Sequence, residues 1–474
     1  MKNKNIKEVF KKFENPIIGA SVQAFGRIGL EKIFPNFNIA CLNYSNELEK
    51  MRKDNINVFC LEESLGKKST DKRNPTTVIK NKLFQTFLRE NSSKKAPIFV
   101  LYKSSQAIEH LAKKFNWIIA ANKYKSYKKF EDKALFKNLL RKLNIKEIPG
   151  EINILEDLHY KKLALRYPEG FVIQEPMAGG GRGTFFIHTE KEFNNCLDEL
   201  KTDFELKASS KLVITQFIKG YAPSVTACVT QYGILQLPPQ LQLIDLAELH
   251  SDIKGNGVFC GHDWSAAKEI EERASREMNL ITKKIGEFLK GEGFRGIYGI
   301  DFLVSDIDGS VFPVELNPRL LGTFPVSTLI QLKNKELPLI AFHVLEFAKE
   351  EYKIDINQLN QSFSKNKEGA HFFITTPYIP YKVNGTLKAG VYKIKEGRLK
   401  FLRPGYELTD LKNKQEFLLV DGVPHQPRIE ESGLKRILRV VTDCQISQNK
   451  GRSLNSFGKE ITNAVYKALK VEPL

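Results

Sequence analysis

The chain has 474 residues, of which 42% are hydrophobic and 27% are charged. This composition is ordinary for a globular protein, and the length allows about three domains. No apolar run reaches the roughly 18 residues of a membrane span, and the charged N-terminus (MKNKNIKEVFKKF) lacks the apolar core of a signal peptide. We therefore expect a cytoplasmic protein without membrane segments.

The net charge of +18 comes from 73 Lys and Arg residues against 55 acidic residues. Basic residues occur along the whole chain without a nucleic-acid-binding signature, which argues against a nucleic-acid partner and favours a solvated, lysine-rich surface. Six cysteines without a C-x-x-C pair argue against a zinc module and a disulfide framework, and predict reduced thiols.

The first part of the chain, residues 1–120, alternates strand-like and helix-like segments. The strand-like runs are PIIGASV, FNIACL, INVFCL, APIFVLY and WIIAA. This alternation predicts an open α/β layer with a mainly parallel sheet. The motif AFGRIG lacks the full G-x-G-x-x-G spacing, so it predicts a turn rather than a dinucleotide site. The polar segment from Ser64 to Thr77 is predicted to be a surface loop.

A single helix is predicted from Tyr127 to Leu143. Its apolar stripe includes Leu135, and Asp132 lies near its start, where a negative charge favours the helix dipole. Lys133 is the residue after Asp132.

A glycine-rich hairpin is predicted within residues 170–188, where the strands FVI and TFFI flank the sequence AGGGRG. A Walker A or Rossmann loop would lead into a helix, but here one strand follows another. Such a hairpin can fold over polyphosphate, because backbone N–H groups without neighbouring side chains can approach the oxygens. A flexible surface hairpin is the alternative.

The segment from Lys211 to Gly220 is predicted to be a strand that ends in a break. Residues 235–264 are interpreted as a long loop beside a site, because they contain two prolines and several glycines. Cys260 and His262 could form a nucleophile and base, but a structural or substrate-lining role is favoured. An amphipathic helix with Ser265 as its N-cap is predicted to follow, up to Leu289.

Two strands, Tyr298 to Val304 and Val311 to Asn317, are predicted to form a hairpin around a polar turn. Closing the hairpin brings Asp301 almost opposite Glu315, with Asn317 on the same polar face. Phe312, Val314 and Leu316 are predicted to point to the opposite, apolar side. Two carboxylates and an amide oxygen predict a site for a hard cation, Mg²⁺ or Mn²⁺.

The remainder of the chain is predicted to be helical from Ser327 to Glu351, to pass through a polar linker from Asn357 to Gly369, and to form five strands and a last helix, Gly458 to Leu469. The five strand segments are AHFFIT, AGVYKIK, RLKFLR, EFLLV and ILRVVT. The C-terminal hundred residues are therefore predicted to be a β-rich lobe.

The order D-F-L-V…V-E-L-N-P-R, together with AGGGRG, resembles the ATP-grasp superfamily, and in particular its biotin carboxylase-like branch. The resemblance implies a multidomain α/β and α+β protein with the ATP-grasp fold. Its parts would be an N-terminal open α/β domain (1–120), an ATP-grasp nucleotide-binding domain (121–355) and a C-terminal β-rich lobe (366–474).

The resemblance also implies roles for individual residues. Asp301, Glu315 and Asn317 would hold the metal, and Arg319 would stabilise charge on the transferring group. The nucleotide contacts implied by the family would come from Lys133, Gln174, Gly179, Gly180, Gly181, Arg182, Gly183, Gln216, Phe217 and Ile218. In that scheme Lys133 and the glycine loop position the phosphates, while the Gln216 carbonyl and the Ile218 N–H read adenine. The chain departs from the family at Gln174, where a lysine is usual, and at Ala222, where some members have a ribose-binding glutamate.

The function implied is ATP-dependent activation of a carboxylate as an acyl phosphate and its transfer to an amine, releasing ADP and phosphate. The substrates would be a small carboxylate and a small amine whose identities the sequence does not encode, and a homodimer is compatible with the sequence. One alternative is carboxylation of biotin with bicarbonate, although no A-M-K-M-like attachment segment is present. The other is a non-catalytic nucleotide-binding protein, a reading that Gln174 and Ala222 support.

Overall fold

The computed structural model describes residues 6–67, 74–91, 94–179, 183–249, 257–376, 380–430 and 436–474. Within these ranges, no helix is long and apolar enough to cross a membrane, and all six cysteines are free thiols.

The N-terminal part is a five-stranded parallel sheet surrounded by helices. Its elements in chain order are α1 Ile6–Lys11, β1 Ile17–Ser21, β2 Phe37–Cys41, α2 Glu47–Lys53, β3 Asn57–Cys60, α3 Leu61–Leu65, α4 Pro75–Lys80, α5 Lys82–Glu90, β4 Ile98–Val100, α6 Gln106–Phe115 and β5 Ile118–Ala120. The strand order is β3-β2-β1-β4-β5 and every pairing is parallel. All five predicted strands and the open α/β layer are confirmed.

Two details of the N-terminal part follow from local chemistry. Within the AFGRIG motif, Ala24–Arg27 form a short 3-10 turn, and Gly29 beyond it has a φ of 94°, a conformation that glycine adopts without steric cost. The predicted surface loop is wrong at both ends, because α3 extends to Leu65 and α4 begins at Pro75, while residues 68–73 lie outside the described residues. The Asn74 side chain accepts a hydrogen bond from the Thr76 N–H, and proline suits the first turn of a helix.

The next part contains a four-stranded antiparallel sheet in the order β6-β9-β7-β8. The elements here are α7 Tyr124–Glu131, α8 Lys133–Lys142, β6 Gly150–Ile154, α9 Tyr160–Arg166, β7 Phe171–Gln174, β8 Thr184–Ile187, α10 Glu190–Thr202 and β9 Lys211–Gln216. The two strands around the glycine loop and the strand before the break are confirmed.

The prediction of one helix across this region is wrong, because the chain breaks at Asp132. Asp132 is extended, with a ψ of 116°, and its carboxylate accepts hydrogen bonds from the Ala134 and Leu135 N–H groups. An N-cap of this kind satisfies donors that a continuous helix would bond internally. The second helix is consequently rotated, and Leu135 is 48% exposed instead of lying in the apolar stripe.

A large antiparallel sheet supplies the rest of the fold. Its first elements and the helices that follow are β10 Gly220–Tyr221, β11 Pro223–Thr230, β12 Gly233–Gln236, β13 Gln240–Ile244, β14 Phe259–Asp263, α11 Glu272–Gly291, β15 Gly296–Ser305, β16 Val311–Asn317, α12 Phe324–Lys333, α13 Leu339–Ala348 and α14 Ile356–Phe363. The predicted long loop over residues 235–264 is wrong where the chain forms β13 and β14, which pair with each other. The predicted linker is also wrong in part, because α14 occupies its first half.

The C-terminal strands continue the same sheet through hydrogen bonding between β14 and β17. The elements are β17 Ala370–Thr375, β18 Tyr381–Val383, β19 Gly390–Lys395, β20 Arg398–Arg403, β21 Glu416–Val420, β22 Arg428–Glu430, β23 Arg436–Thr442, β24 Ser447–Gln448, β25 Ser453–Leu454, α15 Ser456–Leu469 and β26 Val471–Pro473. The path of the sheet is β10-β15-β11-β13-β14-β17-β23-β21-β19-β20. The β-rich lobe and the last helix are confirmed, whereas the exact domain boundaries stay predictions.

The predicted helix cap at Ser265 is wrong, because residues Ser265–Glu269 form a 3-10 turn and α11 begins at Glu272. The Ser265 hydroxyl instead accepts a hydrogen bond from the Gly369 N–H at 2.8 Å, which joins this turn to the chain before β17. The predicted inward face of α11 is confirmed, since Met278, Ile285 and Leu289 are buried.

One hydrophobic cluster connects the N-terminal sheet, the α12–α13 pair and the C-terminal strands. Ile17 of β1, Phe342 of α13 and Val441 of β23 all belong to it. Burial of these apolar side chains holds the three parts together, so residues far apart in sequence meet at a shared surface.

Candidate active site

The two strands β15 and β16 pair in the register that the sequence predicted. Asp301 lies opposite Glu315, and Gly299 lies opposite Asn317. A β-bulge follows Asp301, and it adds one residue to β16. Because of this bulge, Val314 lines the cavity described below, which corrects the prediction that it points to the apolar side.

Asp301 is held by two amide groups. Its Oδ2 accepts a hydrogen bond from Asn317 Nδ2 at 2.8 Å, and its Oδ1 accepts one from Gln242 Nε2 of β13. Desolvation and the nearby Glu315 carboxylate raise the pKa of Asp301 to about 7. A divalent cation beside the two carboxylates would offset both causes.

The side chains present fit a hard divalent cation. Asn317 donates its amide N–H to Asp301, which leaves its amide oxygen as a third ligand besides the two carboxylates. Oxygen donors, including one or two carboxylates, are what Mg²⁺ takes from proteins, with the remaining positions filled by phosphate and water. No group of three or more His, Cys, Asp or Glu side chains that could hold a metal ion occurs in the described ranges.

Lys133 connects this pair of strands with the glycine hairpin. It is the first residue of α8 and is 6% exposed. Its Nζ lies 3.9 Å from Glu315 Oε1 and donates a hydrogen bond to the Ala178 carbonyl. Its backbone N–H donates to the Pro176 carbonyl at 3.1 Å.

The structure describes both ends of the glycine hairpin. Gln174 pairs with Thr184 in the β7–β8 register, and the Glu175 N–H donates to the Gly183 carbonyl at 2.8 Å. Gly183 has a φ of +69°, and a Cβ there would lie 2.6 Å from that of Ala178, so only glycine fits without a shift. Gly179 is described, whereas Gly180, Gly181 and Arg182 lie outside the described residues.

A cavity of about 340 Å³ begins at the end of β9 and extends past the paired carboxylates. Gln216, Phe217 and Ile218 line one end of it. The Gln216 and Phe217 N–H groups are bonded to the Pro149 and Gly170 carbonyls, whereas no acceptor for the Ile218 N–H lies among the described residues. Apolar side chains form the walls of this end, namely Ile148, Val172, Phe186 and Leu303. The volume is within the range of small-molecule sites.

Arg319 lines the same cavity and is anchored from the N-terminal side. Its Nε donates to Glu131 Oε1 at 2.8 Å, its Nη1 donates to the Tyr102 hydroxyl, and its guanidinium lies 4.7 Å from the Tyr102 ring centroid. Burial alone would lower the pKa of Arg319, but Tyr102 and Glu131 outweigh it and the pKa is raised. The guanidinium is therefore a fixed positive charge beside Glu315.

His262 and Cys260 have different surroundings. His262 lines the cavity, and its Nδ1 lies 3.2 Å from His371 Nε2. Cys260 is buried in the C-terminal hydrophobic cluster, where desolvation raises the pKa of its thiol to about 12. A thiol that stays protonated and packs among apolar side chains is a structural residue, so the alternative of a Cys–His nucleophile is wrong.

Four cavity or cavity-supporting residues carry no sequence signal of their own: Tyr102, Glu131, Gln242 and Arg436. Tyr102 lies in the loop after β4, separated from the strand by Leu101, and loops after parallel strands are common positions for ligand contacts. That rule could have identified Tyr102. Gln242 and Arg436 could not have been found in this way, because their strands reach the site only through the large sheet.

Comparison with known proteins agrees with this architecture. Residues 120–323 match the model of the ATP-grasp domain. The chain is 26% identical over 206 residues to the carbamoyl phosphate synthase arginine-specific large chain of Geobacillus stearothermophilus, covering 43% of this chain and 18% of that protein. It is 24% identical over 200 residues to the [butirosin acyl-carrier protein]–L-glutamate ligase of Niallia circulans, covering 40% of this chain and 44% of the ligase.

A solved structure extends the likeness of fold over nearly the whole chain. The biotin carboxylase of Campylobacter jejuni, crystallised as a β-γ-ATP complex, superimposes with a TM-score of 0.60 at 14% identity, covering 92% of this chain and 88% of that one. The chain spans about a fifth of the carbamoyl phosphate synthase chain that it matches and less than half of the ligase. The matched domain and the shared architecture show that residues 120–323 form an ATP-grasp domain and that the chain has the ATP-grasp fold.

Proposed function

We propose that this protein is an ATP-dependent ligase that activates a carboxylate as an acyl phosphate and joins it to an amine, forming ADP. The observation that carries the proposal is the pairing of Asp301 with Glu315 on facing strands, with Asn317 and Arg319 beside them. Two carboxylates, an amide and a fixed guanidinium around one cavity suit transfer of a phosphoryl group.

Each group has a part in the proposed reaction. Asp301, Glu315 and Asn317 would hold Mg²⁺, which neutralises charge on the phosphates when bound. Lys133 and the glycine hairpin would position the phosphates, and the Ile218 N–H, which has no acceptor among the described residues, would contact adenine. The substrate carboxylate attacks the γ-phosphorus and ADP leaves. The amine nitrogen then attacks the acyl carbon and phosphate leaves, with Arg319 stabilising the negative charge that develops.

The choice of a ligase over a carboxylase is supported by one relative. The Niallia circulans protein is named as a ligase that joins L-glutamate to an acyl-carrier protein. The biotin carboxylase likeness concerns the fold alone, at 14% identity. Carboxylation with bicarbonate is nevertheless the second candidate, because that likeness covers 92% of the chain.

The test is ATP turnover with a panel of carboxylic acids, Mg²⁺ or Mn²⁺, and hydroxylamine as a generic amine. We expect ADP and phosphate to appear together with the hydroxamate of one acid or a small group of acids. AMP and pyrophosphate as products would contradict the proposal. Turnover that requires biotin and bicarbonate, without any hydroxamate, would favour the carboxylase.

A binding measurement completes the test. If MgATP binds but no acid supports turnover, the non-catalytic alternative gains, and the absence of a lysine at Gln174 would be its physical cause. A neutral amide can donate a hydrogen bond, but it supplies no charge to offset the phosphates.

A further inference from the structure

A second part of the cavity, called the far end, is lined by residues of β14 and of the C-terminal strand β23. Arg436, the first residue of β23, lines it together with Phe259 and His262. The Arg436 guanidinium lies 4.2 Å from the Phe373 ring centroid and 5.5 Å from that of Phe259. Stacking against two rings restricts the guanidinium plane while leaving its N–H edge available.

Arg436 differs from the neighbouring arginines in having no counter-ion among the residues that the structure describes. Arg439 forms an ion pair with Asp421 at 2.8 Å, and Arg319 forms one with Glu131 at 2.8 Å. In the ranges that the structure describes, Arg436 has neither a carboxylate nor any hydrogen-bond acceptor, and its side chain is exposed. Five guanidinium N–H donors are thus open toward the cavity.

The other polar groups at this end do not offset the positive charge. Burial, together with Arg439 and Arg436, lowers the pKa of His262 to about 3 and lowers that of His371 well below its usual value, so both imidazoles are neutral near pH 7. Asp421 is already bound to Arg439. The far end therefore presents one uncompensated planar cation on an aromatic floor, a combination that suits a planar oxyanion.

We propose that Arg436 binds a substrate carboxylate that is not consumed in the reaction. The inference rests on the proposed ligase function, in which one carboxylate is activated near Glu315 while a second remains free. The second carboxylate belongs either to the amine, which is then an amino acid, or to the acid, which is then a dicarboxylate. A fork of two parallel N–H···O bonds is the contact that arginine makes with either.

The primary experiment measures binding, so that it does not depend on turnover. Titration calorimetry with MgADP present would compare wild type, Arg436→Met and the control Arg398→Met, which removes an exposed arginine of β20 outside the cavity. The probes are L-amino acids, their carboxamides, and simple mono- and dicarboxylates. We expect at least one carboxylate to bind wild type about 10- to 100-fold more tightly than Arg436→Met, the range of one charged hydrogen-bonded contact. Arg398→Met should bind as wild type does.

Several results of the calorimetric experiment would contradict the proposal. Equal affinity of the carboxylate probes for wild type and Arg436→Met, or no binding of any carboxylate by wild type, would overturn the inference. Carboxamides that bind wild type as tightly as the acids would overturn it as well. Inorganic phosphate that displaces the carboxylate at equal concentration would show a general oxyanion site and would overturn the carboxylate assignment.

Turnover then identifies the source of the carboxylate. Hydroxylamine carries no carboxylate, so unchanged hydroxamate formation by Arg436→Met, with a raised KM for the amino acid, assigns Arg436 to the amine. A raised KM for the acid in the hydroxylamine assay assigns it to the acid. Absence of ADP formation under all conditions would contradict the ligase function, while the calorimetric result would still decide whether Arg436 binds carboxylates.

Discussion

Lys133 lies between two parts of the candidate site, with its Nζ 3.9 Å from Glu315 Oε1 and hydrogen-bonded to the Ala178 carbonyl. One ammonium group therefore joins a proposed metal ligand to the loop proposed to cover the phosphates. We expect a bound phosphate oxygen to replace the Ala178 carbonyl as the acceptor of Lys133.

Replacing Lys133 with Met should raise the KM for ATP by about tenfold and lower kcat by about a hundredfold, because one fixed charge near the transferring phosphoryl group is lost. Steady-state ADP formation measures both constants. Lys129→Met is the control, since Lys129 forms an exposed ion pair with Glu292. Equal kinetics for Lys133→Met and wild type would exclude Lys133 from phosphate binding.

Replacing Glu315 with Gln keeps the shape of the side chain but removes one negative charge from the proposed metal site. Turnover should fall by at least about a hundredfold, and the Mg²⁺ concentration needed for half-maximal activity should rise. The protein should remain folded by circular dichroism. Glu272→Gln, at an 82% exposed side chain on α11, should behave as wild type. If the Mg²⁺ dependence of Glu315→Gln matches that of wild type, the metal assignment is wrong.

Replacing Gln174 with Lys should tighten MgATP binding by about threefold to tenfold, the effect of one added charge near the phosphates. Gln174 lines the cavity, with its Nε2 3.4 Å from Thr184 Oγ1, so a lysine at this position would extend into the same cavity. Equilibrium binding of a fluorescent ATP analogue measures the change. Gln358→Lys on the exposed face of α14 controls for net charge, and equal tightening in that variant would remove the local explanation.

Glu47 gives the stability of the protein a pH dependence. It is 2% exposed, and burial together with the charge of Asp421 raises its pKa from 4.5 to about 7. The folded state favours the protonated form of Glu47. The contribution of this group to the free energy of unfolding is therefore fully present below about pH 4.5 and is lost as pH rises through about 7. This pKa shift corresponds to about 3 kcal/mol in the free energy of unfolding.

Glu47→Gln should therefore reduce the loss of stability between about pH 5 and about pH 8. Urea unfolding followed by tryptophan fluorescence at both pH values measures this loss. The Gln oxygen can still accept the hydrogen bond that the Asp421 N–H donates to Glu47 at 3.0 Å. Glu90→Gln, at an exposed position at the end of α5, should leave the pH dependence unchanged. An identical dependence in Glu47→Gln and wild type would show that Glu47 is not protonated in the fold.

Local patterns in the sequence were sufficient for much of the fold. The five N-terminal strands, the glycine hairpin and the β15–β16 pair are each encoded by residues within a few positions of one another. The facing of Asp301 and Glu315 could be predicted because a tight turn fixes the register of a hairpin. Val314 was predicted wrongly because a bulge changes the alternation of side chains without leaving a sequence signal.

Tertiary packing decided the parts for which local propensity was weak. The prolines and glycines of residues 235–264 indicated a loop, but β13 and β14 form because neighbouring strands of the large sheet satisfy their backbone groups. The break at Asp132 results from a cap that competes with a continuous helix, and periodicity alone does not decide between them.

The sequence by itself thus determined the facing of Asp301 and Glu315 and the two strands around the glycine loop, because these depend on contacts that are short in sequence. Only the tertiary structure placed Tyr102 against Arg319, Gln242 against Asp301, and Arg436 at the far end of the cavity. Those contacts join residues separated by 217 and 59 positions in the first two cases. The physical reason is that burial of the shared hydrophobic cluster brings the N-terminal sheet and the C-terminal strands to the site, while Gln242 reaches Asp301 because β13 and β15 both flank β11 in the large sheet.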